Sequence, residues 1–441
     1  MLSFLRLAPV VAISILAGTA NAQTYFTAVI NGGNEVPPTA STSLGIGMFV
    51  LDAAGANLSY NISYTIFDGA ETVAHFHQGA AGVNGPVIIP LPIGSPKIGT
   101  TPVTPAQAAA LLAGNVYFNG HSNIFPGGEI RGQLVRSMGP EVEPNDSKTA
   151  ANVFVNLPVG NTVSGRSTGG LTNGGLDSVD YYQLNAPAAA PGIYRHTLNL
   201  YSPENNFAMS IRGLSQNAGV IDPASDVVLS NAVLNAAGNR EISYYDFGTR
   251  GRIFVSIAGS TSTNFPYTLR HDVTQVAPIV IGPFTEGAIN FAEVGANVMD
   301  FDYWVYDTDG NPIPGYGHDD NDAPGMTRPF LPGTYFVAVS RFNFANNLPS
   351  PADDAYRTGN VADFPGIALS DAEVNNPPIA ATLGVTNQGL TTTVPVNLST
   401  PYEVRWYRFA VIPGCEADFN HDGIIDFFDY LDFVQAFSVG C

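Results

Sequence analysis

The stretch Leu58-Ser-Tyr-Asn-Ile-Ser-Tyr-Thr-Ile66 alternates apolar and polar residues at every step. Alternation with period two is typical of a β-strand that has one buried face and one exposed face. Similar segments recur along the chain, and the sequence also has 46 Gly and 33 Pro, the residues that end strands in turns. Many short strands between such turns predict an all-β fold of tandem β-sandwich domains.

The chain is acidic and long enough for several domains. Its 441 residues include 37 Asp and Glu against 17 Lys and Arg, which gives a formal net charge of −20. Binding a phosphate backbone requires clustered cations, and the sequence has no such cluster. We therefore expect no nucleic-acid partner, whereas divalent cations or basic partners suit this charge.

The first residues have the pattern of a secretory signal peptide. A basic start at residues 1–6 precedes an apolar run over 7–17 and the small-residue triplet Ala20-Asn-Ala22. The run is shorter than the roughly 20 residues of a membrane-spanning helix. We expect residues 1–22 to be removed after Ala22, leaving a secreted extracellular or cell-surface protein without a transmembrane segment.

A short helix interrupts the strand pattern. Thr104 is a good N-cap, Pro105 suits the first helical position, and Gly114 suits the end.

Three histidines in the same region suggest a metal site. His75 and His77 are two residues apart on a predicted strand, so both imidazoles leave one face while Phe76 leaves the other. His121 can supply a third nitrogen, and imidazoles suit copper or zinc. The alternative is that these histidines only bond to loops inside a sandwich. The sequence leaves both interpretations open.

Motifs in this region are similar to those of a known domain family. Glu35-Val-Pro-Pro38, His75-Phe-His77 and Pro126-Gly-Gly-Glu129-Ile-Arg131-Gly-Gln-Leu134 resemble the CHRD (chordin-type) domain, which we assign to residues 23–137. The resemblance implies a sandwich similar in strand pattern to Cu/Zn superoxide dismutase. A dismutase requires a fourth copper imidazole, a bridging histidine and a zinc set, and three histidines cannot supply them. We expect Glu129 and Arg131, on one strand face, to form an ion pair.

The middle of the chain predicts two further sandwiches. Glu143-Pro-Asn-Asp-Ser147, Asp177-Ser-Val-Asp-Tyr-Tyr182 and Gly251-Arg-Ile-Phe-Val-Ser-Ile257 resemble the bacterial pre-peptidase C-terminal (PPC) domain, assigned to residues 141–273. The segment 301–311 parallels 207–219, which indicates a second PPC-like copy over residues 279–412. The stretch 342–378, rich in Asn, Asp and Pro, predicts a long surface loop.

Three motifs in the middle region are weak indications of chemistry. Gly165-Arg-Ser167-Thr-Gly169 matches a hydrolase string, but the glycines that follow exclude the helix that a nucleophile elbow needs. The segment 307–311 begins like a calcium loop, yet Pro312 occupies the glycine position, so we predict a hairpin turn. Residues 318–322 suit either a surface calcium or a solvated acidic loop.

Residues 413–441 predict a small calcium-bound unit. Loop positions 1, 3, 5, 7, 9 and 12 provide oxygen ligands around a sharp turn at Gly423. The expected ligands are Asp418, Asn420, Asp422, Ile424 through its carbonyl, Asp426 and Asp429. The unit resembles a single dockerin-type repeat, although cohesin-binding dockerins carry two. A helix is predicted by apolar residues at 428, 431, 434 and 437, and Cys415 and Cys441 can form a disulfide.

Together these features favour a noncatalytic secreted protein. We expect binding or assembly outside the cell, with calcium as a structural ion and an unidentified extracellular protein or polysaccharide as partner. The alternative is a copper- or zinc-binding protein or metalloenzyme that uses His75, His77 and His121. A docking module of an enzyme complex is a third class.

Overall fold

The computed structural model of the protein divides into two compact units, Met1–Ser137 and Met138–Cys441. Residues 1–21 of the predicted signal peptide (1–22), the two cysteines and Ser167 lie outside the described residues. The described residues are 22–155, 160, 162–165, 179–186, 188–204, 206–248, 251–259, 265–295, 301–319, 325–341, 344–351, 359–370, 379–414, 419 and 426–439.

The first unit is built from short antiparallel strands. The boundary between the two units, after Ser137, falls within the strand Val135–Pro140. The elements are β1 (Thr24–Asn31), β2 (Leu44–Leu51), β3 (Asn57–Tyr64), β4 (Glu71–Gln78), β5 (Val87–Leu91), β6 (Lys97–Pro102), α1 (Pro105–Leu112), β7 (Val116–Ser122), β8 (Ile130–Gln133) and β9 (Val135–Pro140).

The strands of the first unit close around one apolar core. The strand order is β6-β3-β2-β1-β8-β7-β4-β5. Strand β9 also pairs with β1. Phe49 of β2 and Tyr60 of β3 contact Phe76 of β4 edge-on, with ring centroids 5.8 and 6.0 Å apart. The strand predicted around residue 60 is confirmed as β3, since Leu58 and Ile62 are fully buried.

The predicted helix is confirmed as α1. Thr104 is its N-cap, with Oγ1 accepting a hydrogen bond from the Gln107 amide at 3.3 Å. The Gln107 side chain accepts from the Thr104 amide at 2.8 Å. This reciprocal capping box satisfies two backbone donors that the first helical turn cannot pair.

The second unit is also almost entirely strands. Its elements are β10 (Asn152–Val155), β11 (Thr162–Gly165), β12 (Asp180–Asn185), β13 (Ile193–Tyr201), β14 (Ala208–Gly213), β15 (Gln216–Asn217), β16 (Val220–Ile221), β17 (Val227–Asn231), β18 (Val233–Leu234), β19 (Arg240–Asp246), β20 (Arg252–Ala258), β21 (Tyr267–Val276), β22 (Ile279–Thr285), β23 (Gly287–Glu293), β24 (Phe301–Tyr306), β25 (Pro312–Asp319), β26 (Met326–Phe330), β27 (Gly333–Arg341), β28 (Ile367–Ala368), β29 (Ile379–Asn387), β30 (Leu390–Leu398), β31 (Arg405–Ile412) and α2 (Phe427–Val439).

Two pairs of sheets organise the second unit. The sheet β10-β12-β20-β14-β17 and the strands β18-β19-β13-β21-β11 enclose one apolar core. The sheets β22-β31-β27-β24-β25 and β26-β23-β29-β30 enclose another. A third cluster joins the two sandwiches through aromatic contacts such as Phe247 against Trp406, whose centroids are 5.4 Å apart. The all-β prediction is therefore confirmed.

The long surface loop predicted over residues 342–378 is wrong for its described parts, 344–351 and 359–370. β28 pairs with β19, and Val361, Ile367 and Leu369 are at most 1% exposed. The prediction relied on the content of Asn, Asp and Pro, which is typical of exposed loops. Here hydrogen bonds to other strands satisfy backbone N–H and C=O groups of the segment, so its apolar residues can be buried.

The two helices differ in their surroundings. The helix predicted near the C-terminus is confirmed as α2, but Phe428, Leu431, Val434 and Phe437 are 43–67% exposed. Within the described residues, neither α1 nor α2 combines the length and hydropathy needed to cross a bilayer.

Candidate metal centre

The three candidate histidines come from two paired strands of the first unit. On β4, Phe76 is completely buried in the core, so the alternation of the strand directs His75 and His77 to the opposite face. β7 pairs with β4 in a register that places Val73 opposite His121. Cross-strand partners share a face, so His121 joins the other two imidazoles.

The three rings converge on one point. The ring centroids of His75 and His121 are 5.4 Å apart, those of His75 and His77 are 5.7 Å apart, and those of His77 and His121 are 6.4 Å apart. One nitrogen from each ring lies within 4.8 Å of the others. The structure thus brings together the three histidines that the sequence singled out.

Backbone carbonyls select the ring nitrogens that face the centre. His77 Nδ1 lies 2.9 Å from the Gly85 oxygen, and His121 Nδ1 lies 3.0 Å from the Pro126 oxygen. A carbonyl only accepts, so both Nδ1 atoms carry the hydrogen and leave each Nε2 with a lone pair. His77 Nε2, His121 Nε2 and His75 Nδ1 are buried without a hydrogen-bond partner. His77 and His121 therefore offer Nε2, and the buried nitrogen of His75 that has no hydrogen-bond partner is Nδ1.

The electrostatic environment favours neutral imidazoles. Burial lowers the pKa of His75 below its usual 6.5, and repulsion from His121 and His77 lowers it further. Burial also lowers the pKa of His77, against the opposing effect of the Gly85 hydrogen bond. Neutral rings are required for ligation, because a protonated imidazole has no free lone pair. Three imidazoles suit copper or zinc, with a further coordination position open to a water or an outside ligand.

The ion pair expected between Glu129 and Arg131 is wrong. Glu129 Oε1 instead accepts hydrogen bonds from Ser41 Oγ at 2.9 Å and from the Asp68 amide at 2.7 Å. Arg131 lies against the ring of Tyr117, with its guanidinium carbon 3.5 Å from the centroid. Donors on other loops bond to Glu129 Oε1, so the spacing between residues 129 and 131 alone could not predict its partner.

A buried carboxyl group near the histidines was missed by the sequence reasoning. Glu35 is 6% exposed, and its Oε2 accepts a hydrogen bond from Asn119 Nδ2 at 3.1 Å. Asn119 lies opposite His75 in the β4–β7 register. Burial raises the pKa of Glu35 from 4.5 to about 7, although Arg131 and Asn119 oppose the shift. Glu35 precedes β4 by a long segment, so no local spacing could have associated it with the site.

A second cluster of possible ligands lies in the other unit. Oxygens of Glu141, Glu143 and Asp180 lie within 4.8 Å of one another. Tyr182 and Tyr267 donate hydrogen bonds to Glu141 Oε2 at 2.6 and 3.1 Å. Oxygen-only sets are the kind that hard cations prefer. The two tyrosine hydroxyls already provide hydrogen bonds to Glu141, and the Asn145 amide donates to Glu143 Oε2 at 3.0 Å, so the cluster is stabilised by its own network.

Most of the predicted calcium ligands lie outside the described residues, namely Asp418, Asn420, Asp422 and Ile424. Cys415 and Cys441, the cysteines of the predicted disulfide, lie outside them as well. Asp429 is 3% exposed, and its two oxygens accept hydrogen bonds from the Phe419 and Asp426 amides, both at 2.7 Å. Asp429, in the first turn of α2, thus ties the backbone at residues 419 and 426 to the helix.

The remaining acidic motif of the middle region is a turn. Asp307 Oδ1 accepts hydrogen bonds from the amides of Asp309 and Asn311 at 2.9 and 2.8 Å. Gly310 has a φ of +76°, and β24 pairs with β25 across the turn. The predicted hairpin is confirmed. His318 is half-buried on β25 and stacks on Tyr303, whereas residues 320–322 lie outside the described part.

Comparison with known proteins identifies the first unit. Residues 26–134 match the family model of the CHRD domain, which confirms this part of the expected resemblance. The match contains all three histidines and is consistent with an extracellular binding or assembly role. No curated protein matches the chain. The PPC-like and dockerin-like resemblances stay predictions.

We expect Glu35→Gln to stabilise the metal-free first unit at pH 8. A carboxyl whose folded pKa is raised contributes its full stability below pH 4.5 and loses it as the pH rises to about 7. Glutamine stays neutral and can still accept from Asn119, so the gain is roughly 1–3 kcal/mol at pH 8 and near zero at pH 4. Hydrogen exchange of peptides from 116–134, measured for both proteins at each pH, tests this. Equal protection at pH 8 would contradict it.

Proposed function

We propose that this is an extracellular, noncatalytic binding protein whose CHRD domain holds one copper or zinc ion between His75, His77 and His121. The observation that carries the proposal is the convergence of three buried imidazole nitrogens, none with a hydrogen-bond partner. A metal ion is one ligand that satisfies all three nitrogens together.

The alternative is that these histidines only hold loops in place, and it explains the ring nitrogens that bond to loop carbonyls. It accounts for the bonds from His77 to Gly85 and from His121 to Pro126. It leaves one nitrogen on each ring buried and unsatisfied, at a cost of about 1–3 kcal/mol for each group. Backbone carbonyls that accept from the outer ring nitrogen, and so fix the tautomer, are typical partners of metal-ligating histidines. The metal site therefore explains the outer and the inner nitrogens together.

A superoxide dismutase is disfavoured by the number of ligands. The segment 23–137 contains three histidines, so it cannot supply the fourth imidazole and separate zinc set of a dismutase. The open coordination position suits capture of an outside ligand. Secretion, the predicted signal peptide and the acidic charge are consistent with an extracellular protein or polysaccharide as partner. Capture of such a partner through the C-terminal unit would instead favour the docking-module alternative.

Calcium is proposed as a structural ion of the C-terminal unit. The proposal rests on the ligand spacing and on Asp429, whose buried carboxylate ties the loop to α2. Calorimetric titration of the full chain should show a saturable calcium site with a dissociation constant of about 10⁻³ M or tighter. Asp422→Ala should remove that site, because it deletes one ligand without touching α2. Identical titrations of the two proteins would contradict the assignment.

We expect the full chain, prepared without a histidine tag and stripped with a chelator, to bind copper or zinc at the CHRD domain. His77→Ala should remove one bound equivalent in equilibrium dialysis, because two imidazoles are a much weaker ligand set. The bound metal should be retained at neutral pH and released as the pH falls below 6.5, since protons compete for the same nitrogens.

The matched control is His318→Ala, which removes a half-buried histidine outside the CHRD domain. This variant should bind as much metal as the wild type. If His77→Ala also binds the wild-type amount, the proposed site is wrong.

A further inference from the structure

Arg131 is the most thoroughly bonded side chain near the histidines. It is 2% exposed, and its two terminal nitrogens reach into the turn that follows β4. Nη1 donates to Asn84 Oδ1 at 3.0 Å, while Nη2 donates to the oxygens of Val83 at 2.8 Å and Ala80 at 3.3 Å. One guanidinium therefore holds three acceptors of the same turn.

This turn carries the group that fixes His77. The Gly85 oxygen lies against His77 Nδ1, and the Gly85 amide donates to the Tyr117 hydroxyl at 3.0 Å. A Cβ on Gly85 would overlap the carbonyl oxygen of Gln78, so the turn passes β4 as closely as a backbone can. Movement of the turn would displace the partner of His77 Nδ1.

Tyr117 connects the same two side chains through its ring. It stacks on the His77 imidazole at 4.9 Å between centroids with 10° between the planes. The Arg131 guanidinium also packs on the Tyr117 ring, with its carbon 3.5 Å from the centroid. His77 is thus restrained by Arg131 along two routes, through the turn and through the ring of Tyr117.

We infer that Arg131 is a positioning residue for the metal site, acting through Tyr117 and the turn at 80–85. This inference rests on the proposed function, because the group being positioned is the ligand nitrogen His77 Nε2. Arg131 keeps the hydrogen on Nδ1 and the ring plane fixed, so that Nε2 is presented to the metal in one orientation. Neither of the other two histidines has such a clamp within the contacts of the described residues.

The chemistry of the side chain is specific to arginine. A planar guanidinium offers several donors in a fixed fork and can stack on an aromatic ring at the same time. A lysine at this position would keep the positive charge but lose both the fork and the stacking. Arg131→Lys therefore separates positioning from charge.

The experiment measures copper binding to the full chain and to the variant Arg131→Lys. We expect the variant to bind copper about 10–100-fold more weakly, the usual effect of removing an outer-shell partner. The pH midpoint of copper binding should shift upward, because weaker ligation competes less well with protons. The electron paramagnetic resonance spectrum of bound Cu(II) should change as well, which a role in folding alone would not produce.

Two further variants complete the design. Tyr117→Phe keeps the stack and removes the bond to Gly85, so it should show a smaller change in the same direction even if Arg131→Lys fails to fold. Arg136→Lys, an exposed arginine on β9 that contacts only the Leu112 oxygen among the described residues, should behave as the wild type.

The outcomes distinguish this inference from the proposed function. Wild-type affinity and an unchanged spectrum in both Arg131→Lys and Tyr117→Phe would overturn the positioning role alone. A wild-type chain that binds no copper or zinc would overturn the proposed function and this inference with it.

Discussion

The register between β4 and β7 is the constraint on which the candidate site depends. Alternation on β4 sends Phe76 into the core and both flanking histidines to the other face, and the pairing with β7 adds His121. A slip of one residue would move a histidine into the core and Phe76 toward the site. Burial of Phe76 against Phe49 and Tyr60 therefore protects the geometry of the site as well as the stability of the sandwich.

The first unit buries several polar side-chain atoms that no protein group bonds among the described residues. Among the described residues of the first unit, seven buried side-chain atoms have no hydrogen-bond partner: Glu35 Oε1, His75 Nδ1, His77 Nε2, Asn119 Oδ1, His121 Nε2, Glu129 Oε2 and Gln133 Oε1. Folded proteins rarely leave such groups unpaired without a reason in function. Three of the seven are the nitrogens that converge, and a ligand at that point accounts for them.

The sequence predicted those parts of the molecule that are governed by local patterns. Period-two alternation located β3, the capping residues located α1, and the His-x-His spacing identified two of the three histidines of the candidate site. Contacts between segments that are distant in sequence could not be predicted from local patterns. Glu35 and the turn at 80–85 are examples, because only the folded chain brings them close to the histidines. The partner of Arg131 was mistaken for the same reason. Burial of residues 359–370 depended on a neighbouring sandwich that composition does not describe.

X-ray absorption spectroscopy of the metal-loaded full chain tests the central claim most directly. The account requires three imidazole nitrogens at about 2.0–2.1 Å from the zinc, together with one oxygen ligand from solvent. Multiple scattering from imidazole should fall by one ring in His121→Ala. A first shell made only of oxygen, unchanged by that substitution, would contradict the account.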